Sequence, residues 1–383
     1  MMQSLDQDSV KLLRALAWSG QKDVSAIAEA ARRIANWEAT IEAARRHGVA
    51  PLLYRCLAAD EQLVPPQALR LARCEFERNA FHCMTNAEEL LAILREFDQA
   101  GIRAMPFKGV VLGISAYRDM TARSAGDLDL LIDYPDLLPA TQILKWRGYE
   151  LKTKVLPDGS PEAEFYFEYH FERATDGLVV ELRWRLELTQ PRYRHDLGID
   201  WVWQRRNTVM LAGAKVPNLD SVTALLVLCM HGSKHVWSRL IWICDVAMLL
   251  ASEPGLDWDR AQRDAKRVGL WRCLALGSLL AVRIGGATVP PVVLRCFEAN
   301  SAVRKLAKFL DANLFAMPQE LPPGWIPYNL RILGFRDLAG VALSLAILRP
   351  NARDRAVVSL PRALEPLYYV IRPFRILLDR SGR

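Results

Sequence analysis

The sequence predicts an α+β fold, a small mixed sheet core flanked by N-terminal and C-terminal helical regions. Three observations carry that expectation. Residues 1–100 and 219–317 repeat apolar side chains at helical spacing, with Leu12, Leu13, Leu16 and Ala17 on one stripe and Trp37, Ile41 and Ala44 on another. Between these regions, residues 165–172 and 178–186 are rich in aromatic and β-branched side chains and flank Ala174-Thr175-Asp176-Gly177, a hairpin turn. Asp127-Leu128-Asp129 opens an apolar run to Ile132, which reads as the start of a buried strand.

The elements follow in order. Pro65-Pro66 opens a long helix running to about residue 100, with Leu69, Ala72, Phe76 and Ala80 along one stripe. Residues 101–107 read as a short strand, Lys108-Gly109 ends it, and 110–117 read as a helix. Residues 208–216 resemble a small hairpin, helices dominate 219–317, and the proline-rich 318–324 is a loop. The expected organisation is therefore an N-terminal helical region (1–100), an α/β core (101–190), a helical domain (191–317) and a basic C-terminal extension (318–383).

Composition narrows the class. With 383 residues and 51% apolar content the chain can bury a large core, and disorder is not indicated. Seven cysteines are scattered with no Cys-x-x-Cys pair, which points to reduced thiols and a cytoplasmic setting. No signal peptide is expected from the polar residues 1–9, and no transmembrane segment, since the longest apolar run, 338–348, is too short to span a bilayer. From Arg349 onward eight arginines oppose three acids, so this tail carries +5 of the net +7. A tail packed across the helical domain is the favoured reading, with a membrane-peripheral or polyanion contact as the alternative.

The chemistry concentrates at Asp127 and Asp129. Side chains two apart on a strand share a face, so both carboxylates project together. Adjacent carboxylates repel unless a cation lies between them, and Mg²⁺, which combines carboxylates with substrate phosphates, is the natural one. Upstream, a strand, the Lys108-Gly109 turn and a helix N-terminus make an anion site, although the Walker A pattern is absent. Glu181 is a third acid in an otherwise apolar strand; the competing reading pairs it with Arg183 or Arg185 on an edge strand.

Lys108-Gly109, Tyr117, Arg123, Asp127-Leu128-Asp129 and Glu181-Leu182-Arg183-Trp184 resemble the uncharacterised nucleotidyltransferase family of the DNA polymerase β-like superfamily, as do residues 228–237 with Trp242 and Asp245. The resemblance implies Asp127, Asp129 and Glu181 as catalytic metal ligands, Mg²⁺ as cofactor and a nucleoside triphosphate donor, ATP by default. It makes Lys108, Gly109 and Arg123 the candidates to hold the triphosphate, with Arg118 a weaker one. In the second block Lys234 or Arg239 would contact phosphate, and His231 or His235 the base or acceptor; the bland reading is a packed helix pair with a His–Asp contact, and zinc on His231, His235 and Asp245 is a minor alternative. The family often has Glu-Leu-His-Trp where this chain has Glu-Leu-Arg-Trp, and Arg183 cannot serve as a base at neutral pH. The leading reading is transfer of a nucleoside monophosphate to an unidentified small-molecule, peptide or protein acceptor with release of pyrophosphate. A toxin-like transferase modifying tRNA or protein is the second enzyme reading, tRNA being permitted but not favoured. An inactive scaffold or partner-binding module is the reading from another class.

Overall fold

The computed structural model describes residues 5–17, 24–124, 126–155, 167–186 and 198–316, with isolated positions between 358 and 371. The expected loop at 318–324, the apolar run 338–348 and most of the basic extension lie outside the described residues.

The N-terminal part is helical: α1 (Gln7–Leu16), α2 (Val24–Arg33), α3 (Trp37–Arg46), α4 (Ala50–Ala58) and the 34-residue α5 (Pro66–Gln99). Asp6 and Asn36 cap α1 and α3 by accepting from the N–H of Ser9 and Ala39. Helix α5 begins with proline at its first position, as the Pro65-Pro66 pair predicts, and spans about 50 Å. It exits through Gly101, whose φ of +74° favours glycine, and the Ile102 N–H returns to the Phe97 carbonyl at 2.8 Å. That exit corrects the strand expected over 101–107. Only β1 (Met105–Pro106) pairs, because the preceding residues belong to the helix exit and Pro106 has no N–H to donate.

After α6 (Gly109–Tyr117) come β2 (Leu128–Leu131), α7 (Leu137–Trp146), β3 (Tyr149–Leu151), β4 (Glu168–Arg173) and β5 (Val179–Arg183). The sheet order is β1-β2-β5-β4-β3, mixed as expected. Strand β2 runs parallel to β5 with Asp129 opposite Glu181, while β4 and β5 form the antiparallel hairpin around the 174–177 turn. Strand β5 is therefore interior and not an edge. The second half of α5 buries Leu90, Ile93 and Phe97 against this sheet.

Helix α8 (Ile199–Trp203) leads to a separate hairpin, β6 (Asn207–Leu211) and β7 (Ala214–Asn218), turning at Ala212 and Gly213 with positive φ. The helices α9 (Ser221–Lys234), α10 (Leu240–Ser252), α11 (Trp258–Val268), α12 (Trp271–Arg283), α13 (Pro291–Ala299) and α14 (Ser301–Asn313) follow. Their apolar faces share one core with α1, α3 and α4, so the helices before and after the sheet pack as a single helical body around Trp237. Trp237 is fully buried against Gly232 and Gly277; a Cβ on Gly232 would lie 2.5 Å from its ring.

His47 joins the two ends of this body. Its Nδ1 accepts from the Leu240 N–H at 3.2 Å, and its carbonyl accepts from the Ile241 N–H at 3.0 Å. Burial, with Arg46 and Arg239 nearby, holds its pKa down at about 4. The unfolded chain, with a His near 6.5, therefore binds the proton more tightly than the folded one. The His47 contribution to stability should be full above pH 6.5 and fall by about 3 kcal/mol toward pH 4. Urea titrations across that range should lose this part of the acid slope in His47→Gln, while the buried His231 and His235 keep theirs.

Candidate active site

Strand alternation and register build the site. Asp129, Glu181 and His170 lie in one row across β2, β5 and β4, and Leu131, Arg183 and Glu168 in the next. Asp129 is buried; Asp127 stands on the exposed lip just before β2. The sheet thus brings together Asp127, Asp129 and Glu181, the three acids expected from the sequence.

The turn ahead of α6 closes on them. Gly109 has φ +57°, a conformation that strains any side chain, and a Cβ there would sit 3.5 Å from the Asp127 carbonyl. Lys108 reaches inward, its Nζ 2.9 Å from Asp129 Oδ1, with only 10% of its side chain exposed. The Phe107 ring lies beneath both Lys108 and Arg183, at 5.5 and 5.9 Å.

Arg183 fills the centre. Its Nη2 is 2.7 Å from Glu168, 3.5 Å from Asp129 and bonded to Glu181. The pairing of Glu181 with Arg183 weighed from the sequence is thus real, yet it sits inside the carboxylate cluster. Glu168 is the residue that sequence reading missed. The 174–177 turn already held the signal: counting back from Arg173 opposite Leu178 places Glu168 opposite Arg183.

The carboxyls divide electrostatically. Burial alone would raise Asp129, but Lys108 and Arg183 outweigh it and hold its carboxyl below the usual range. Asp127 and Glu181 move the other way, each raised by the surrounding protein and then by the charge of Asp129. Asp129 Oδ1 and Glu168 Oε2 are buried with no aligned hydrogen bond. As the side chains stand, no three His, Cys, Asp or Glu among the described residues close on one metal position.

A second wall comes from the end of α9. Lys234 lies within electrostatic reach of Arg183, Glu168, Lys108 and Glu181; burial and then Arg183 lower its pKa to about 8. The His231 and His235 rings meet at a tilt, their centroids 4.7 Å apart, and both contact Trp242, at 5.5 and 5.1 Å. Burial and neighbouring cations hold His231 well down and His235 at about 3, so both rings are neutral at pH 7. The chain then turns through Val236 and Trp237 at φ +56° and +52°, strain that a β-branched residue tolerates only where packing dictates it.

Two residues singled out from the sequence are committed to each other. Arg123 pairs with Asp245: its Nε and Nη2 bond both oxygens of Asp245 at 2.8 and 2.9 Å, and Nη1 donates to the Ser124 carbonyl. Asp245 also accepts from the Tyr117 hydroxyl at 2.8 Å, so its partners are arginine and tyrosine in place of a histidine or zinc. Arg118, left-handed at φ +61°, closes α6 and points toward the Ser252 carbonyl.

The sequence profile of the family described as uncharacterised nucleotidyltransferase matches residues 34–286. Among solved structures, an antigenic nucleotidyltransferase-like protein from Paracoccidioides brasiliensis is 21% identical, covering 50% of this chain and 92% of its own, with a TM-score of 0.29. No curated protein matches the chain significantly. Among the described residues no helix is long and apolar enough to cross a membrane.

Proposed function

The chain belongs to the uncharacterised nucleotidyltransferase family, and on that premise we propose that it moves a nucleoside monophosphate from an NTP to an acceptor hydroxyl or phosphate, releasing pyrophosphate, with Mg²⁺ as cofactor. The observation that supports this reading is the in-register convergence of Asp129 and Glu181, with Asp127 at the lip, beside the Gly109 turn. The donor set suits a hard cation: every oxygen is a carboxylate, and burial and then the charge of Asp129 raise the Asp127 and Glu181 carboxyls, a cost that a bound cation would relieve. Asp127, Asp129 and Glu181 would hold Mg²⁺, which supplies Lewis-acid activation of the acceptor oxygen and neutralisation of phosphate charge.

The chain's own groups do the positioning. Gly109 adds no side chain of its own at the first turn of α6, where backbone N–H groups would meet phosphate oxygens. Lys108 on one side and Lys234 on the other present charge to a triphosphate, and the neutral His231–His235–Trp242 cluster offers aromatic faces to a base or acceptor. Lys234 carries a pH signature. It is charged below about 8 and neutral above, so NTP affinity should decline as pH rises from 7 to 9, and Lys234→Arg should flatten that decline.

The test is calorimetric titration of each NTP with and without Mg²⁺. Mg²⁺-dependent binding of one NTP identifies the donor; absence of binding by all four sinks the reading. One observation favours a second reading, a partner-binding module that keeps the fold without turnover: Arg183 already pairs with Glu168 and Glu181 where a metal ion would sit. On that reading no NTP binds in either condition.

A further inference from the structure

A single nitrogen atom, Arg183 Nη2, touches carboxylates from three strands, Glu168 on β4, Glu181 on β5 and Asp129 on β2. Carboxylates gathered around one positive centre are what a two-metal site presents to each of its ions. We infer that Arg183 takes the place of one of those two cations, so that this site holds a single divalent ion beside a built-in guanidinium; the inference rests on the metal-dependent reading above.

Charge supports the count. Asp127, Asp129, Glu168 and Glu181 bring four negative charges when ionised; Lys108, Arg183 and, below about pH 8, Lys234 return three, and the surplus of one is met by a single Mg²⁺ and far exceeded by two. A guanidinium stays protonated at any relevant pH, unlike histidine or lysine, so this positive charge is permanent. It is also fixed in place. Only 7% of the Arg183 side chain is exposed, the Phe107 ring packs on it at 5.9 Å, and its strand is interior to the sheet. A second divalent ion among Asp129, Glu168 and Glu181 would have to displace that guanidinium or sit against it. The remaining room is on the Asp127 side, where the lip is exposed and the carboxyl lacks a direct ion-pair partner among the described residues.

The consequence is a division of labour. The ion held by Asp127, Asp129 and Glu181 would face substrate, while Arg183 fixes the orientation of Glu181 and Glu168 and contributes a permanent charge. Arg183 is therefore a positioning residue whose removal should open a second ion site.

Mn²⁺ titration of the full chain, followed by calorimetry and electron paramagnetic resonance, tests this. Wild type and Arg183→Lys are expected to bind one Mn²⁺ per chain with an uncoupled spectrum. Arg183→Gln is expected to bind two, with the spin coupling of ions a few ångströms apart. Two ions in wild type overturn the inference and leave the proposed function standing, as does an Arg183→Gln variant that still binds one. Should Arg183→Gln fail to fold, the wild-type and Arg183→Lys stoichiometries still decide, since two ions in either overturns it. If wild type binds none, the inference and the metal-dependent reading fall together.

Discussion

Replacing both lip and strand acids, in Asp127→Ala/Asp129→Ala, is expected to weaken binding of a Mg²⁺–NTP complex by ~100-fold or more. Loss of a group that merely orients a metal ligand already lowers metal affinity by about 10–100-fold, and here two ligands disappear. The charge balance points the same way. With both aspartates gone, Glu168 and Glu181 are matched by Lys108 and Arg183, and no negative surplus is left to attract a divalent ion. Lys108, released from Asp129 at 2.9 Å, becomes free to meet phosphate directly. Metal-free NTP binding should therefore hold or rise while the Mg²⁺ dependence vanishes. Calorimetry in Mg²⁺ and in chelator separates the two terms, and a variant that keeps wild-type Mg²⁺ dependence would place the ion elsewhere. Circular dichroism should show the fold retained, because Asp127 lies outside the strand and the apolar Leu128, Leu130 and Leu131 still anchor β2.

The parts of this site that could be read from the sequence are those fixed by local rules. Strand alternation placed Asp127 and Asp129 together and the hairpin turn set Glu181 on a strand, while the neighbourhood of that strand to the aspartates came from the family resemblance. Proline at 65–66 marked where α5 begins, and Gly101, a residue suited to left-handed φ, stands where it ends. Strand β3 and helix α7 were not foreseen; a three-residue strand has too little periodicity to register. The partners of the arginines were equally hidden. Arg123 and Asp245 are 122 positions apart, and a guanidinium beside acids in sequence says nothing about which carboxylate it will reach in space. Arg183 shows the converse. Its substitution within the Glu-Leu-Arg-Trp motif was visible, but its place at the centre of the carboxylates required the three strands to be assembled.

The Arg123–Asp245 pair gives the largest expected effect on stability. The two side chains are 9% and 2% exposed, and Asp245 takes two bonds from Arg123 and one from Tyr117. Asp245→Ala strands a buried guanidinium and a buried hydroxyl at once, which should cost about 3–5 kcal/mol in urea unfolding. Asp245→Asn keeps the shape and one acceptor oxygen, so its loss should be smaller. Replacing both partners with apolar residues of similar volume, Arg123→Met/Asp245→Leu, should recover most of the loss, since no charge is then left unpaired. The pair also has a functional consequence. The Arg123 carbonyl accepts from Asn79 on α5, its guanidinium is held by α10, and its chain runs on to Asp127 four residues later. That segment fixes the lip of the site from two sides. Asp245→Ala should therefore weaken Mg²⁺–NTP binding as well, but less than loss of the aspartates themselves. If affinity instead falls as far as in Asp127→Ala/Asp129→Ala while stability is unchanged, Arg123 and Asp245 act on the nucleotide directly and the buried-tie assignment fails.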